Sequence, residues 1–213
     1  MSRGKFITLE GGEGAGKSTQ CARLAARLEA AGVTVVQTRE PGGTEAAERI
    51  RALLIDGPDD RWDAAGEALL HSAARRSHLV DLVWPALADG AWVVCDRFAD
   101  STMAYQGYAM GLGRDAVETL THITITDFAP DLTILLDLAP EDGLQRVGER
   151  AGAADRYERR GLDFHRTLRD AFLDIAGRAP ERFAIIDATD TEEVISDAIF
   201  GAVGERLGVP CGD

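Results

Sequence analysis

Gly11-Gly12-Glu13-Gly14-Ala15-Gly16-Lys17-Ser18 sets glycines, a lysine and a hydroxyl at the spacing G-x-x-x-x-G-K-[ST]. The glycines let the backbone wrap so that successive N–H groups face phosphate oxygens. A helix beginning at Lys17 adds the partial positive charge of its N-terminus. Lys17 can reach β- and γ-phosphates, the Ser18 hydroxyl can ligate Mg²⁺, and Thr19 follows in the same first turn. The chain has only two lysines, Lys5 and Lys17, and draws nearly all its other positive charge from arginine. A lysine is therefore a more selective signal here than an arginine, and one of the two stands in this loop. The apolar run Phe6-Ile7-Thr8-Leu9 before the loop and the helical pattern after it argue against a chance match. The loop predicts a nucleoside triphosphate held by its phosphates.

A second set of reactive side chains follows two later strands. One strand ends in Thr38-Arg39-Glu40-Pro41-Gly42-Gly43-Thr44. Another ends in Asp96-Arg97-Phe98 and is followed by Ser101-Thr102-Met103-Ala104-Tyr105-Gln106-Gly107. Both runs fall beyond the carboxyl ends of strands, where open α/β sheets bind ligands. Asp96 in that crevice suits a Mg²⁺ ligand acting through water, with capping of the next helix as the plainer alternative. The cation after it, Arg97, fits a second anionic substrate better than a hydrolytic water. Between the runs lie Arg51 and His71, and Arg75-Arg76 in an apolar helix. A buried Arg75 needs a partner, which favours a substrate contact over an internal salt bridge. Arg146, Arg150 and Arg156 belong to a segment, Arg146–Arg160, rich in arginine, glycine and acids and expected to be exposed and mobile. Glu158 in it would hold metal or the segment itself, while Arg159 and Arg160 also read as a solvated face. His78, His122 and His165 form no constellation and are expected to be structural or surface residues.

The elements that must position these groups alternate. Strands are expected at Phe6–Leu9, Val33–Thr38, Trp92–Cys95, Leu132–Leu138 and Phe183–Asp187. Helices are expected at Lys17–Ala31, Thr44–Ile55, Ala64–Asp89, Glu141 to about Arg150, and Glu192–Leu207. Continuous apolar strands alternating with helices predict an α/β fold, a parallel sheet covered on both faces. The 213 residues suit one domain, or one domain carrying a small mobile insert. No run of eighteen apolar residues occurs, so no membrane span is expected, and a cytoplasmic protein is the default. A net charge of −13 argues against general affinity for nucleic acid. Cys21, Cys95 and Cys211 lack metal-ligand spacing; the first two read as small core residues and the third as a tail residue. The chain contains no asparagine, which removes the guanine-reading N-K-x-D segment of a switch GTPase.

Taken together, the P-loop with its acidic Glu13, the T-R-E-P-G-G-T run, the D-R-F…S-T-x-x-Y-Q-G run and Asp155-Arg156-Tyr157-Glu158 resemble bacterial thymidylate kinases nearly end to end. The resemblance implies a P-loop NTPase-type fold, a five-stranded parallel sheet flanked by helices with a mobile lid at about residues 146–160. It also implies a homodimer and transfer of the γ-phosphoryl of ATP to dTMP with Mg²⁺. By position, Arg51 and Arg97 would hold the dTMP phosphate, and Glu13 would approach the sugar 3′-hydroxyl or the metal. Arg75 and Thr102 would meet the thymine edge, with Gln106 in the same pocket. Tyr105 would lie beneath the sugar and Pro41 would wall the base. Arg146, Arg150 and Arg156 would close over the ATP phosphates. Gly14 stands where one branch of the family carries a P-loop arginine, which implies the branch whose catalytic arginine comes from the lid. His71 replaces the family's usual stacking phenylalanine, and Gly148 replaces a frequent lid arginine. The attacking phosphate oxygen is largely ionised at neutral pH, since a phosphomonoester's second pKa is about 6, so no general base is needed. A kinase of another nucleoside monophosphate or of a deoxynucleoside is the alternative enzyme. A regulatory ATP-binding module is the alternative outside catalysis. The helix Ala64–Asp89 with Trp84 reads either as core or as dimer surface.

Overall fold

The computed structural model describes residues 3–56, 58, 61–149 and 156–209. Arg150, Asp155 and Cys211, each singled out above, lie outside them. Five parallel strands form one sheet in the order β2-β3-β1-β4-β5: β1 (Phe6–Glu10), β2 (Val35–Arg39), β3 (Trp92–Asp96), β4 (Leu132–Asp137) and β5 (Phe183–Asp187). β1 is wholly buried and pairs with β3 and β4. The chain reverses its direction of travel across the sheet on either side of β1, and the crevice opens at the carboxyl ends there.

Strand alternation divides the core. Ile7 and Leu9 face a layer made with Cys21, Leu24 and Leu28 of α1 (Lys17–Ala30) and with the C-terminal helix Glu192–Leu207. Phe6, on the opposite face, packs with Val93, Cys95, Phe98 and Leu79. Buried Thr8 cannot leave its hydroxyl unpaired and shares a 2.9 Å hydrogen bond with Thr133.

Helices α2 (Glu45–Ile55) and α3 (Ala64–His78) begin at side-chain caps, Thr44 and Asp63. The single helix expected over 64–89 is interrupted by a π-helical turn, Leu79–Val83, before α4 (Trp84–Ala88). Pro85 in that next turn has no N–H with which to continue the i→i−4 ladder. Trp84 packs its ring against Phe128 and under Arg76. Three helical stretches add to the expected set: α5 (Ala99–Thr102) running into a π-helical segment (Met103–Ala109), α6 (Arg114–Ile125) and α8 (Leu162–Arg178). α7 spans Pro140–Glu149 and α9 Glu192–Leu207. Within Arg146–Arg160 the expected exposure does not extend to Arg156 and Tyr157, which are buried. Among the described residues no helix is long and apolar enough to cross a membrane.

Candidate active site

A cleft of about 610 Å³ opens where β1, β2 and β3 end, with the P-loop along one side and α2, α3 and α5 along the other. The P-loop backbone takes left-handed or otherwise glycine-only conformations, with φ of 139° at Gly11 and 72° at Gly14. Gly14 is doubly constrained, because a Cβ there would lie 2.1 Å from the Gly143 carbonyl oxygen at the start of α7. Lys17 folds back to donate to the Gly12 carbonyl at 2.6 Å. Burial, reinforced by Arg97, lowers its pKa against the opposing pull of Glu13 and Asp96. Ser18 Oγ donates to Asp96 Oδ2 at 2.5 Å, so the two expected metal-side groups meet across 78 residues of chain. Thr19 also lines the cleft.

Beyond the P-loop lies a cationic centre. Arg97 sits at φ 71°, unusual for a residue with a Cβ. Its guanidinium donates to Gly11 O at 3.1 Å, Ser101 Oγ at 3.2 Å and Glu13 Oε1 at 3.0 Å, and lies 5.1 Å over the Tyr105 ring. Tyr105 Oη donates to the same Glu13 oxygen. Burial alone would raise the Glu13 pKa, but Arg97, Lys17 and the Tyr105 hydroxyl together hold it down at about 2. The P-loop acid and the arginine after β3 thus form one unit. Arg51, from α2, donates to the Pro41 carbonyl at 2.8 Å, and both residues line the cleft.

Glu10, which sequence reasoning missed, supports this centre from below. Its carboxylate accepts from Phe98 N at 2.8 Å, Ser101 N at 3.3 Å and Ser101 Oγ at 2.6 Å, fastening the turn that carries Arg97. Burial and the nearby Asp100 push its pKa up to about 7. A buried acid at the last position of β1, directly before the glycines, was the available signal.

At the far end the cleft is walled by His71, Thr102, Gln106 and Tyr157. Burial, with Arg75, Arg97 and Arg51 adding repulsion, lowers the His71 pKa to about 3 and keeps the imidazole neutral. Arg75 is only 2% exposed and is not part of the cleft lining. Its Nε pairs with Glu40 at 2.7 Å, and its Nη2 donates to Phe98 O and Thr102 Oγ1. The plainer internal salt bridge is therefore present: Glu40 is itself buried between β2 and α3 and needs a cation. His78 completes that pair, bonding Glu40 through Nδ1 and Thr38 through Nε2. Gln106 donates from Nε2 to Glu67 at 2.8 Å, and its Oε1 has no hydrogen-bond partner among the described residues.

The described arginines of the expected lid, Arg146 and Arg156, separate. Arg146, on exposed α7, lines the cleft and donates to Ala188 O at 3.1 Å. Arg156 departs from the expected placement over the phosphates. It is 1% exposed, pairs with Glu67 and donates to Leu54 O at 3.1 Å, because the buried Glu67 carboxylate demands a cation. Glu158 lines the cleft. Among the described residues no three His, Cys, Asp or Glu side chains cluster as a metal site.

A family model described as thymidylate kinase matches residues 9–199. The chain is 50% identical over 207 residues to the thymidylate kinase of Bradyrhizobium sp. (strain ORS 278), covering 96% of this chain and 92% of that protein. It is 50% identical over 209 residues to the thymidylate kinase of Caulobacter vibrioides, covering 98% and 100%. With the thymidylate kinase of Deinococcus radiodurans the identity is 48% over 206 residues, covering 97% and 99%.

Proposed function

The chain belongs to the thymidylate kinase family and is a dTMP kinase, and we propose how its residues divide the transfer of the ATP γ-phosphoryl to dTMP, giving dTDP. ATP lies with its phosphates along Gly11–Ser18 and Thr19, and Lys17 turns from the Gly12 carbonyl to the β- and γ-phosphates. The dTMP phosphate lies between Arg51 and Arg97. Its sugar rests on Tyr105 with the 3′-hydroxyl near Glu13, and its base fills the His71, Pro41, Thr102 and Gln106 end. The observation that carries this division is the 3.0 Å contact between Glu13 of the P-loop and Arg97 beyond β3, which supports phosphate sites lying side by side.

The obstacle to reaction is the approach of two polyanions. Two unit charges 4 Å apart repel by about 4 kcal/mol at an effective dielectric of 20. Lys17, Arg51 and Arg97 offset this by facing a common space. Mg²⁺ suits the donor set here: it keeps several waters and takes phosphate oxygens, so it needs few protein ligands. Ser18 Oγ would bind it directly, with Asp96 and Glu158 acting through water. When bound, the ion neutralises charge on the transferring phosphates.

We assign the transition-state cation to the lid, from Arg146 or from Arg150 four residues on. The contact of Gly14 with Gly143 supports this, since it leaves no room for an arginine at that P-loop position. For Arg156 we propose an anchoring role on Glu67 in this conformation, with any catalytic role requiring its release. For Arg75, held outside the cleft lining by Glu40 and Phe98 O, we propose that it acts on the base edge through Thr102, to which it donates. We read the chain as a single domain with a lid at about residues 146–160. We also read it as a homodimer: Leu69 on α3 and Ile123 on the adjacent α6 are 57% and 70% exposed, which leaves an apolar face for a second copy. Buried free thiols at Cys21 and Cys95 suit the cytoplasm.

A coupled ADP-release assay over nucleosides and monophosphates tests the substrate assignment. Stimulation by dTMP is the expected result. Stimulation by dCMP, dGMP or thymidine with none by dTMP would overturn it.

A further inference from the structure

Glu67 is buried in the first turn of α3 and does not line the cleft, yet three side chains of the acceptor end converge on it. Arg156 Nη2 pairs with Oε1, while Tyr157 Oη donates to Oε2 at 2.9 Å and Gln106 Nε2 to the same oxygen at 2.8 Å. A carboxylate receiving a guanidinium, a phenol and an amide serves all three as an acceptor. A glutamine side chain is chemically two-faced, and which end points where is decided by its hydrogen-bond network. With Nε2 committed to Glu67, the carbonyl end of Gln106 must face the other way. Gln106 lines the cleft, and its buried Oε1 finds no partner among the described residues. An orphaned buried carbonyl at a ligand site is an acceptor waiting for a donor.

We propose that Glu67 is the positioning residue that fixes the Gln106 amide carbonyl-first toward the base, and so sets which pyrimidine the enzyme accepts. The inference rests on the dTMP-binding reading above. A thymine ring offers an N3–H to that carbonyl. Cytosine presents a bare N3 lone pair, which would leave two acceptors facing each other. Were the amide free to turn over, its NH₂ would suit cytosine and the discrimination would weaken. Arg156 holds the other carboxylate oxygen and Tyr157 shares the one that Gln106 uses, so the anchored end of the lid segment and the choice of base share one buried group.

The test is Glu67→Gln, which keeps shape but lets the residue at 67 donate or accept. kcat/KM is measured for dTMP and dCMP in wild type and variant, with KM for ATP alongside. The expected result is a fall of about tenfold or more in the dTMP:dCMP ratio, one hydrogen bond's worth, with KM for ATP within about twofold. A folded variant whose ratio matches wild type overturns the proposal, as does one losing dTMP and dCMP activity in equal proportion. Should the variant not fold, the wild-type Gln106 side-chain amide decides by NMR. Amide protons that stay slow to exchange with and without dTMP, and whose shifts move when dTMP binds, are expected; exchange as fast as at exposed glutamines, or no response of these protons to bound dTMP, overturns the proposal. Wild-type enzyme that ignores dTMP would instead refute the substrate reading, which keeps the two failures distinct.

Discussion

Arg97 and Glu13 restrain each other without ligands, and under the proposed division the same contact would let one loop serve two substrates. Removing the guanidinium takes away the acceptor's main cation but leaves Lys17 and the P-loop amides in place. Arg97→Ala is therefore expected to lower kcat/KM for dTMP by about 10³-fold, with ATP affinity, read by equilibrium binding of a nucleotide analogue, changed no more than a few-fold. A comparable loss of ATP binding would move Arg97 to the other substrate. His71 offers a test through pH. Its folded pKa of about 3 lies below the ordinary value of 6.5, so the fold favours the neutral ring. The stability this gives is complete above pH 6.5 and is lost as pH falls from there toward 3. His71→Phe removes the titration. The melting temperature of the variant relative to wild type should accordingly be higher at pH 5 than at pH 7.5. A difference that stays flat between those values would contradict the assignment.

The P-loop and α7 meet glycine to glycine. A Cβ on Gly143 would lie 2.3 Å from the Glu13 carbonyl oxygen, the reciprocal of the clash at Gly14. On helix propensity alone Gly143→Ala should stabilise by about 1 kcal/mol. The close approach predicts the opposite sign, a loss of about 1–3 kcal/mol with a raised KM for ATP, measured by denaturant melts and steady-state kinetics. Much at this scale was readable from residue order: every strand, the P-loop turn and the start of α2 near Thr44 follow from apolar runs, glycines and helical periodicity. Helix α8 carried its signal too, with Phe164, Leu168, Ala171, Phe172 and Ile175 at helical spacing, but it was not read. Pro85 was the available signal for the π-helical turn before α4, whereas Met103–Ala109 has no proline to mark it. The roles of Glu40 and Glu67 were not legible, and Glu10 offered only its position at the end of an apolar strand, directly before the glycines. A lone acid in a sequence looks like surface, and only its partners, up to 91 residues away, make it a buried hub.

For the whole molecule, the cleft gathers Lys17, Arg51, Arg97 and Arg146 in a chain of net charge −13. Phosphate recognition is thus local, and the remaining surface repels polyanions. The exposed Leu69 and Ile123 give the assembly a test of its own. Light scattering is expected to show a dimer, and Leu69→Glu with Ile123→Glu a monomer; an unmutated chain that is monomeric at micromolar concentration would contradict the dimer. The proposed division of the cleft requires direct transfer, from a triphosphate on the P-loop to a phosphate between Arg51 and Arg97. It is tested most directly by following γ-labelled ATP in the presence of dTMP. The label should appear in dTDP in step with ADP formation. Label released as free phosphate, with dTMP left unphosphorylated, would contradict it.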